Sequence, residues 1–221
     1  MNSIKAIIFD LDGVLVDSEP FHVKVEKRLF NRFQLSISDE EHTAYMGKAP
    51  DVMWSEIINN KNLSLTVDKM IELNSEESRK YFLSLPQIDP ISGVINLLEE
   101  LNDNDIPMAV ASSSDRETID IIMDKSGLGG YFQHVISSDQ IGKSKPEPDI
   151  FLYTAKLLGV VPESCIVIED STNGIKAAKS ANMYCVAFNG ASSDNQDQSM
   201  ADIRIETFSE LKKKKKKYMV L

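Results

Sequence analysis

Residues 5–13 read Lys-Ala-Ile-Ile-Phe-Asp-Leu-Asp-Gly. The stretch opens as a short apolar run with β-branched content and closes on a turn signal. It predicts a buried strand over 5–9 whose C-terminal end carries two carboxylates. The same grammar recurs along the chain. Residues 107–111 (Pro-Met-Ala-Val-Ala) run into Ser112-Ser113-Ser114, and 134–137 (His-Val-Ile-Ser) form a weaker strand. Residues 165–168 (Cys-Ile-Val-Ile) run into Glu169-Asp170, and 184–188 (Tyr-Cys-Val-Ala-Phe) into Asn189-Gly190. Helical spacing fills the intervals. Val94, Leu97, Leu98 and Leu101 share a face of 91–103; Ile119, Ile122 and Met123 share one of 115–126. Residues 148–158 and 173–181 continue the series. Strands alternating with helices predict βαβ units and a parallel sheet. Uniformly apolar strands fit a sheet covered on both faces. In such sheets ligands bind outside the carboxyl ends of the strands, so the polar residues ending three of these strands mark the expected site.

From 18 to 85 the alternation stops. No convincing strand occurs there, and 19–34, 38–46, 51–60 and 66–84 carry helical patterns, with Ser38 and Glu41 spaced as a capping box. The expected organisation is an α/β core of residues 1–17 and 86–221 with an inserted all-helical cap of residues 18–85. Caps close over sites, exclude water and supply specificity.

A chain of 221 residues with 42% hydrophobic side chains has material for a core domain plus a smaller insertion. The formal net charge of −10 argues against nucleic-acid binding as the main activity. An acidic protein that binds an anion needs a local cation or a metal. Cys165 and Cys185 sit in apolar runs and read as buried strand thiols. No Cys-x-x-Cys occurs. Asp10 and Asp12 interrupt the first apolar run, so it does not read as a signal segment. No stretch approaches the roughly 20 apolar residues of a membrane span. The expectation is a cytoplasmic monomer that binds neither nucleic acid nor membrane. The lysine run Lys212–Lys217 reads as a solvated helix end, with an anionic tether as the alternative.

Four elements carry chemistry. Asp10 and Asp12 end a buried strand, where an unpaired carboxylate is costly and is normally paired or metal-bound; an N-cap pair is the plain alternative. Gly13 permits a sharp turn and close approach of a ligand to the backbone. Ser112 ends the second strand, where a hydroxyl and the following N–H groups suit phosphate oxygens; the plain alternative is a helix cap, with Ser114 the candidate before 115–126. Lys145 lies beside Pro146-Glu147-Pro148, a stiff loop that holds a point charge. Glu169-Asp170 completes an oxygen-rich cluster of the kind Mg²⁺ prefers over Zn²⁺. Together these are a carboxylate nucleophile, a phosphate cradle, a cation and a metal site.

Phe9-Asp10-Leu11-Asp12-Gly13-Val14-Leu15, Ser112, Lys145 in Ser-Lys-Pro and Glu169-Asp170-Ser171 form a specific set in this order. Through them the chain resembles the haloacid dehalogenase superfamily over essentially its whole length, and the cap position resembles the β-phosphoglucomutase-like branch. The resemblance implies a Rossmann-like parallel-sheet core and a Mg²⁺-dependent phosphatase of a small phosphate ester, with sugar phosphate the expected class. It implies Asp10 as nucleophile, forming an aspartyl-phosphate, and Asp12 as general acid and base. Mg²⁺ would be held by Asp10, the Asp12 carbonyl and Asp170, with Glu169 supporting the metal shell. Ser112, Lys145 and the Ser113 N–H would hold the phosphoryl group. In the cap, Ser18, Glu19 and His22, and the loop Met46-Gly47-Lys48, fall where the family contacts substrate. In the mutases of that branch an arginine grips a second phosphate. Its gap-free equivalent here is Pro50, leaving Lys48 as the nearest cation and Arg116 as an alternative. Hexose-phosphate mutase is therefore the second reading. A non-catalytic phospho-ligand binding protein is the third, and it would be expected to have lost Asp10, Asp12 or Lys145.

Overall fold

The computed structural model describes residues 4–45, 50–191, 193 and 195–211. The chain divides into two compact units, residues 1–17 with 87–221 and residues 18–86. Its helices in chain order are α1 (Glu19–Arg32), α2 (Asp39–Thr43), α3 (Pro50–Lys61), α4 (Val67–Ser84), α5 (Val94–Asp103), α6 (Arg116–Ser126), α7 (Asp149–Leu157) and α8 (Thr172–Ser180). The strands are β1 (Ala6–Phe9), β2 (Met108–Ser112), β3 (His134–Ser137), β4 (Cys165–Glu169), β5 (Tyr184–Phe188) and β6 (Ile203–Ile205).

The six strands among the described residues all lie in the first unit. They form one sheet in the order β3-β2-β1-β4-β5-β6, every neighbouring pair parallel. The chain thus has an α/β fold: a Rossmann-like parallel sheet with an inserted all-helical unit. β1, β2 and β4 are buried at every position. Ile8 pairs with Ala109 on one side and Val167 on the other. Phe151, Ile175 and Cys185 pack in the same core cluster as Ile8 and Val167. Both cysteines are buried strand residues, as the apolar runs predict. After β1 the chain builds β2 and β3 to one side, then crosses to build β4, β5 and β6 on the other. β1 is therefore the reversal point, and the crevice beyond its carboxyl end is where a ligand site is expected.

β6 was not foreseen. It is a three-residue edge strand whose residues run half-buried, exposed, buried, too short for a period-two signal. β2 and β4 each extend one residue past the expected ends, which puts Ser112 and Glu169 on the last rung of the sheet.

The helical unit has its own core, with Leu29, Phe30, Trp54, Ile57, Met70 and Leu73 in one cluster. α2 ends at Thr43, short of the expected 46. Only half of the expected capping box forms there: Ser38 Oγ accepts from the Glu41 N–H at 3.1 Å, while the Glu41 carboxylate meets Lys61 at 2.8 Å. A part-buried pair, His42 Nε2 with Glu26 Oε2 at 2.5 Å, ties α2 to α1. Among the described residues, no helix is long and apolar enough to cross a membrane.

Candidate active site

The chain leaves β1 at Asp10, whose N–H still bonds the Ile168 carbonyl at 2.9 Å. The next residues fold back at once. Gly13 N–H donates to Val16 O at 2.8 Å, and Leu15 N–H to Leu11 O at 2.9 Å. Gly13 has φ +76°, a left-handed backbone that favours glycine. A Cβ on Gly13 would also fall on the Asp170 carboxylate. Gly13 thus makes the sharp turn expected of it, and the Asp170 carboxylate fills the space a Cβ would take.

Lys145 is the hub of the cluster. Its side chain is 4% exposed, and its ammonium donates to Asp10 Oδ1 at 2.5 Å, Glu169 Oε1 at 2.7 Å and Ala111 O at 3.0 Å. Those three acceptors match the three N–H donors of an ammonium. Burial opposes the charge, but the Asp10 and Glu169 carboxylates outweigh it, and the ammonium is held above the ordinary lysine range. The acids respond oppositely. Burial pushes Asp10 up to about 8 against the pull of Lys145, with Glu169 and Asp12 adding to the rise. Burial, then Glu169 and Asp10, push Asp170 up to about 9.

Glu169 is 1% exposed. Besides Lys145, its carboxylate accepts from the Ser171 N–H at 2.8 Å and the Ser171 hydroxyl at 2.9 Å. Asp10, Glu169 and Asp170 each offer an oxygen within 4.8 Å of the others. An all-oxygen donor set in which burial and neighbouring acids push Asp10 and Asp170 upward fits a hard divalent cation.

Asp12 is half-buried. Its Oδ2 accepts from Ser114 Oγ at 2.8 Å and from Ser112 Oγ at 3.3 Å. The plain alternative, Ser114 as the cap of the following helix, does not hold. Asp115 caps α6, accepting from the Thr118 N–H at 3.0 Å. Ser114 turns to Asp12 instead, because an aspartate one residue later already satisfies the helix terminus. Ser112 is fully buried and Ser113 is exposed. Two serines at the end of β3 brace this loop: Ser137, its last residue, donates Oγ–H to Ser114 O at 2.8 Å, and Ser138 Oγ–H to Ser112 O at 3.3 Å. Gln198, also absent from the sequence reading, is 7% exposed. Its Nε2 joins the carbonyls of Asp170 and Phe188 at 2.7 and 3.0 Å. The signal for Ser114 lay in the triple-serine run; nothing local marked Gln198.

Asp10, Asp12, Ser112, Lys145, Glu169 and Asp170 are thus joined by these contacts beyond the carboxyl ends of β1, β2 and β4. Arg116 is not part of that set: its guanidinium is committed to Asp120 at 2.9 Å and the Val135 carbonyl at 2.6 Å. Ser18 and His22 belong to the helical unit. Ser18 is buried at the start of α1, Glu19 is the acidic residue of its first turn, and the His22 ring lies edge-on to Phe82 at 6.0 Å. Gly47, Lys48 and the run Lys212–Lys217 lie outside the described residues.

Comparison with known proteins places these residues in a family context. The family described as haloacid dehalogenase-like hydrolase matches residues 7–188. A phosphorylated carbohydrates phosphatase of Thermotoga maritima is 31% identical, over 80% of this chain and 82% of its own length. A bifunctional riboflavin kinase/FMN phosphatase of Arabidopsis thaliana is 30% identical over 93% of this chain. The chain spans 57% of that protein and 18% of a second, longer plant relative. The crystal structure of a β-phosphoglucomutase from Clostridium difficile superposes with a TM-score of 0.77 at 25% identity, covering 99% of this chain and all of the other (100%). With residues 7–188 matching the family and the strand-end acids, serine and lysine converging on one cluster, the chain belongs to the haloacid dehalogenase-like hydrolases.

Proposed function

We propose that this chain is a Mg²⁺-dependent phosphatase that hydrolyses a small phosphate ester, a sugar phosphate by class, through an aspartyl-phosphate on Asp10. The observation that carries the reading is the Lys145 ammonium fixed on Asp10 Oδ1. It orients a buried carboxylate at the end of β1 and supplies positive charge where an anionic phosphoryl group would arrive.

In the first step an Asp10 carboxylate oxygen bonds to phosphorus and the ester P–O bond breaks. Asp12 gives its proton to the departing alcohol oxygen. In the second step Asp12 takes a proton from water, whose oxygen attacks phosphorus; the bond from Asp10 to phosphorus breaks and inorganic phosphate leaves. Ser114 and Ser112 hold Asp12 by its Oδ2, the contact expected of a group that shuttles a proton at a fixed place. Lys145 and the N–H groups after β2 stabilise charge on the phosphoryl oxygens. The Asp10 and Asp170 side chains and the Asp12 carbonyl would hold Mg²⁺, with Glu169 supporting them. The cation would neutralise phosphate charge during transfer. The inserted helical unit is read as the cap that selects the alcohol.

The sugar-phosphate class is supported by the relative named for phosphorylated carbohydrates. A mutase needs a cation for a second phosphate, and Arg116 is already engaged elsewhere. The test is phosphate release from a panel of sugar phosphates and nucleotides with Mg²⁺, following glucose 6-phosphate formation from β-glucose 1-phosphate in parallel. Release that stops in Asp10→Asn and in EDTA, and returns with Mg²⁺ in the wild type, is the expected result. Glucose 6-phosphate without net phosphate release overturns the phosphatase reading.

A further inference from the structure

Gly174 is buried in the first turn of α8, and its φ does not fall in the left-handed region. The backbone there does not require glycine, which is a poorer helix former than alanine. The requirement is spatial. A Cβ on Gly174 would fall on Oε1, Cδ and Oε2 of Glu169. That carboxylate has little room to yield: Lys145 Nζ holds Oε1 at 2.7 Å, and the Ser171 N–H and hydroxyl hold Oε2 at 2.8 and 2.9 Å. The Gly174 N–H in turn donates to Ser171 Oγ at 3.0 Å, so the hydroxyl gripping Glu169 is itself gripped by the glycine backbone.

We infer that Gly174 is a positioning residue: its missing side chain is the seat of Glu169, and through Glu169 it aims the Lys145 ammonium at Asp10. The catalytic consequence rests on the phosphatase reading above; the seat rests on geometry alone. Displacing the Glu169 carboxylate takes one of three acceptors from Lys145, and the ammonium must turn within a buried cluster. The contact to Asp10 Oδ1 changes with it.

The test compares wild type, Gly174→Ala, Glu169→Asp and the double variant in Mg²⁺. Gly174→Ala is expected to lower kcat by on the order of 10²-fold, the scale of an ångström misplacement in an active site, with KM near the wild-type value. Glu169→Asp withdraws the carboxylate from the added methyl, so the double variant should exceed the product of the two single effects. A Gly174→Ala enzyme with wild-type kcat, or a double variant no better than that product, overturns the inference. A second arm needs no substrate. Thermal unfolding should show Gly174→Ala lowering Tm when Glu169 is present and raising it in a Glu169→Ala background, where helix propensity acts alone. A rise in both backgrounds, or an equal fall in both, overturns the seat. If Glu169→Ala does not fold, Glu169→Asp serves as the background, and the fall in Tm should shrink there. A wild type that releases no phosphate fails the phosphatase reading and leaves the seat to be decided by unfolding.

Discussion

Lys145 carries three N–H donors, and the site supplies three acceptors from three different elements: Asp10 after β1, Ala111 in β2 and Glu169 at the end of β4. No neutral side chain reproduces that arrangement. Lys145→Met keeps most of the stem against Phe151, whose ring lies 5.0 Å from Nζ, but leaves two buried carboxylates uncompensated. Breaking a buried pair by removing one partner costs about 3–5 kcal/mol. Lys145→Met is therefore expected to lose up to about that much stability in urea unfolding without metal, and to lose turnover. A variant as stable as wild type would mean that Asp10 and Glu169 do not depend on the lysine. At this scale the sequence was legible where strand ends and stiff loops concentrate polar groups, which is how Asp10, Asp12, Ser112, Lys145, Glu169 and Asp170 were found. It was not legible for Gly174 and Gln198. Their roles depend on which atoms a helix start and a distant loop bring beside Glu169 and the Asp170 carbonyl, and composition carries no trace of that.

The loop from β2 into α6 shows how one residue of register redistributes roles. A strand expected to end at 111 reaches Ser112, Asp115 becomes the helix cap, and Ser114 is freed for Asp12. The two side chains should therefore fail in different ways. Removing a cap aspartate costs about 0.5–2 kcal/mol. Asp115→Ala is expected to lower stability by that amount in urea melts, and Ser114→Ala by less. Ser114→Ala should slow turnover instead, with Ser114→Thr restoring it because a hydroxyl is kept. If Ser114→Ala melts like Asp115→Ala and turns over normally, the serine is the true cap. The central strands were readable because parallel strands buried on both faces are continuously apolar. β6 escaped because Ile203–Ile205 lies at the sheet edge with Arg204 exposed. The helical unit was recognised by its 3.6-residue spacing, yet its short α2 was overdrawn, since a helix stopping at Thr43 leaves too few turns to define an end.

On the scale of the whole molecule, a chain of net charge −10 gathers acids around a single buried lysine. Burial lifts Asp10 to about 8 and Asp170 to about 9 from an ordinary 3.8. A carboxyl whose folded pKa lies above its unfolded value binds its proton more tightly in the folded state. Its contribution is fully present below the unfolded pKa and is lost as pH rises through the folded one. Metal-free protein should therefore lose stability between about pH 4 and about pH 9, with Tm lower at about pH 8.5 than at about pH 5.5. Exposed Asp39, Glu40 and Asp197 are held below the ordinary carboxylate range, so they titrate beneath this window and leave the trend intact. A divalent cation binds the deprotonated acids and raises stability by mass action where they are ionised. Mg²⁺ should then raise Tm at about pH 8.5 and do little at about pH 5.5, while removing the Mg²⁺ with EDTA should restore the downward slope. A metal-free protein whose Tm climbs from pH 5.5 to 8.5, each to about half a unit, would mean that the acids around Lys145 are ionised without cost and that the fold itself does not call for a metal.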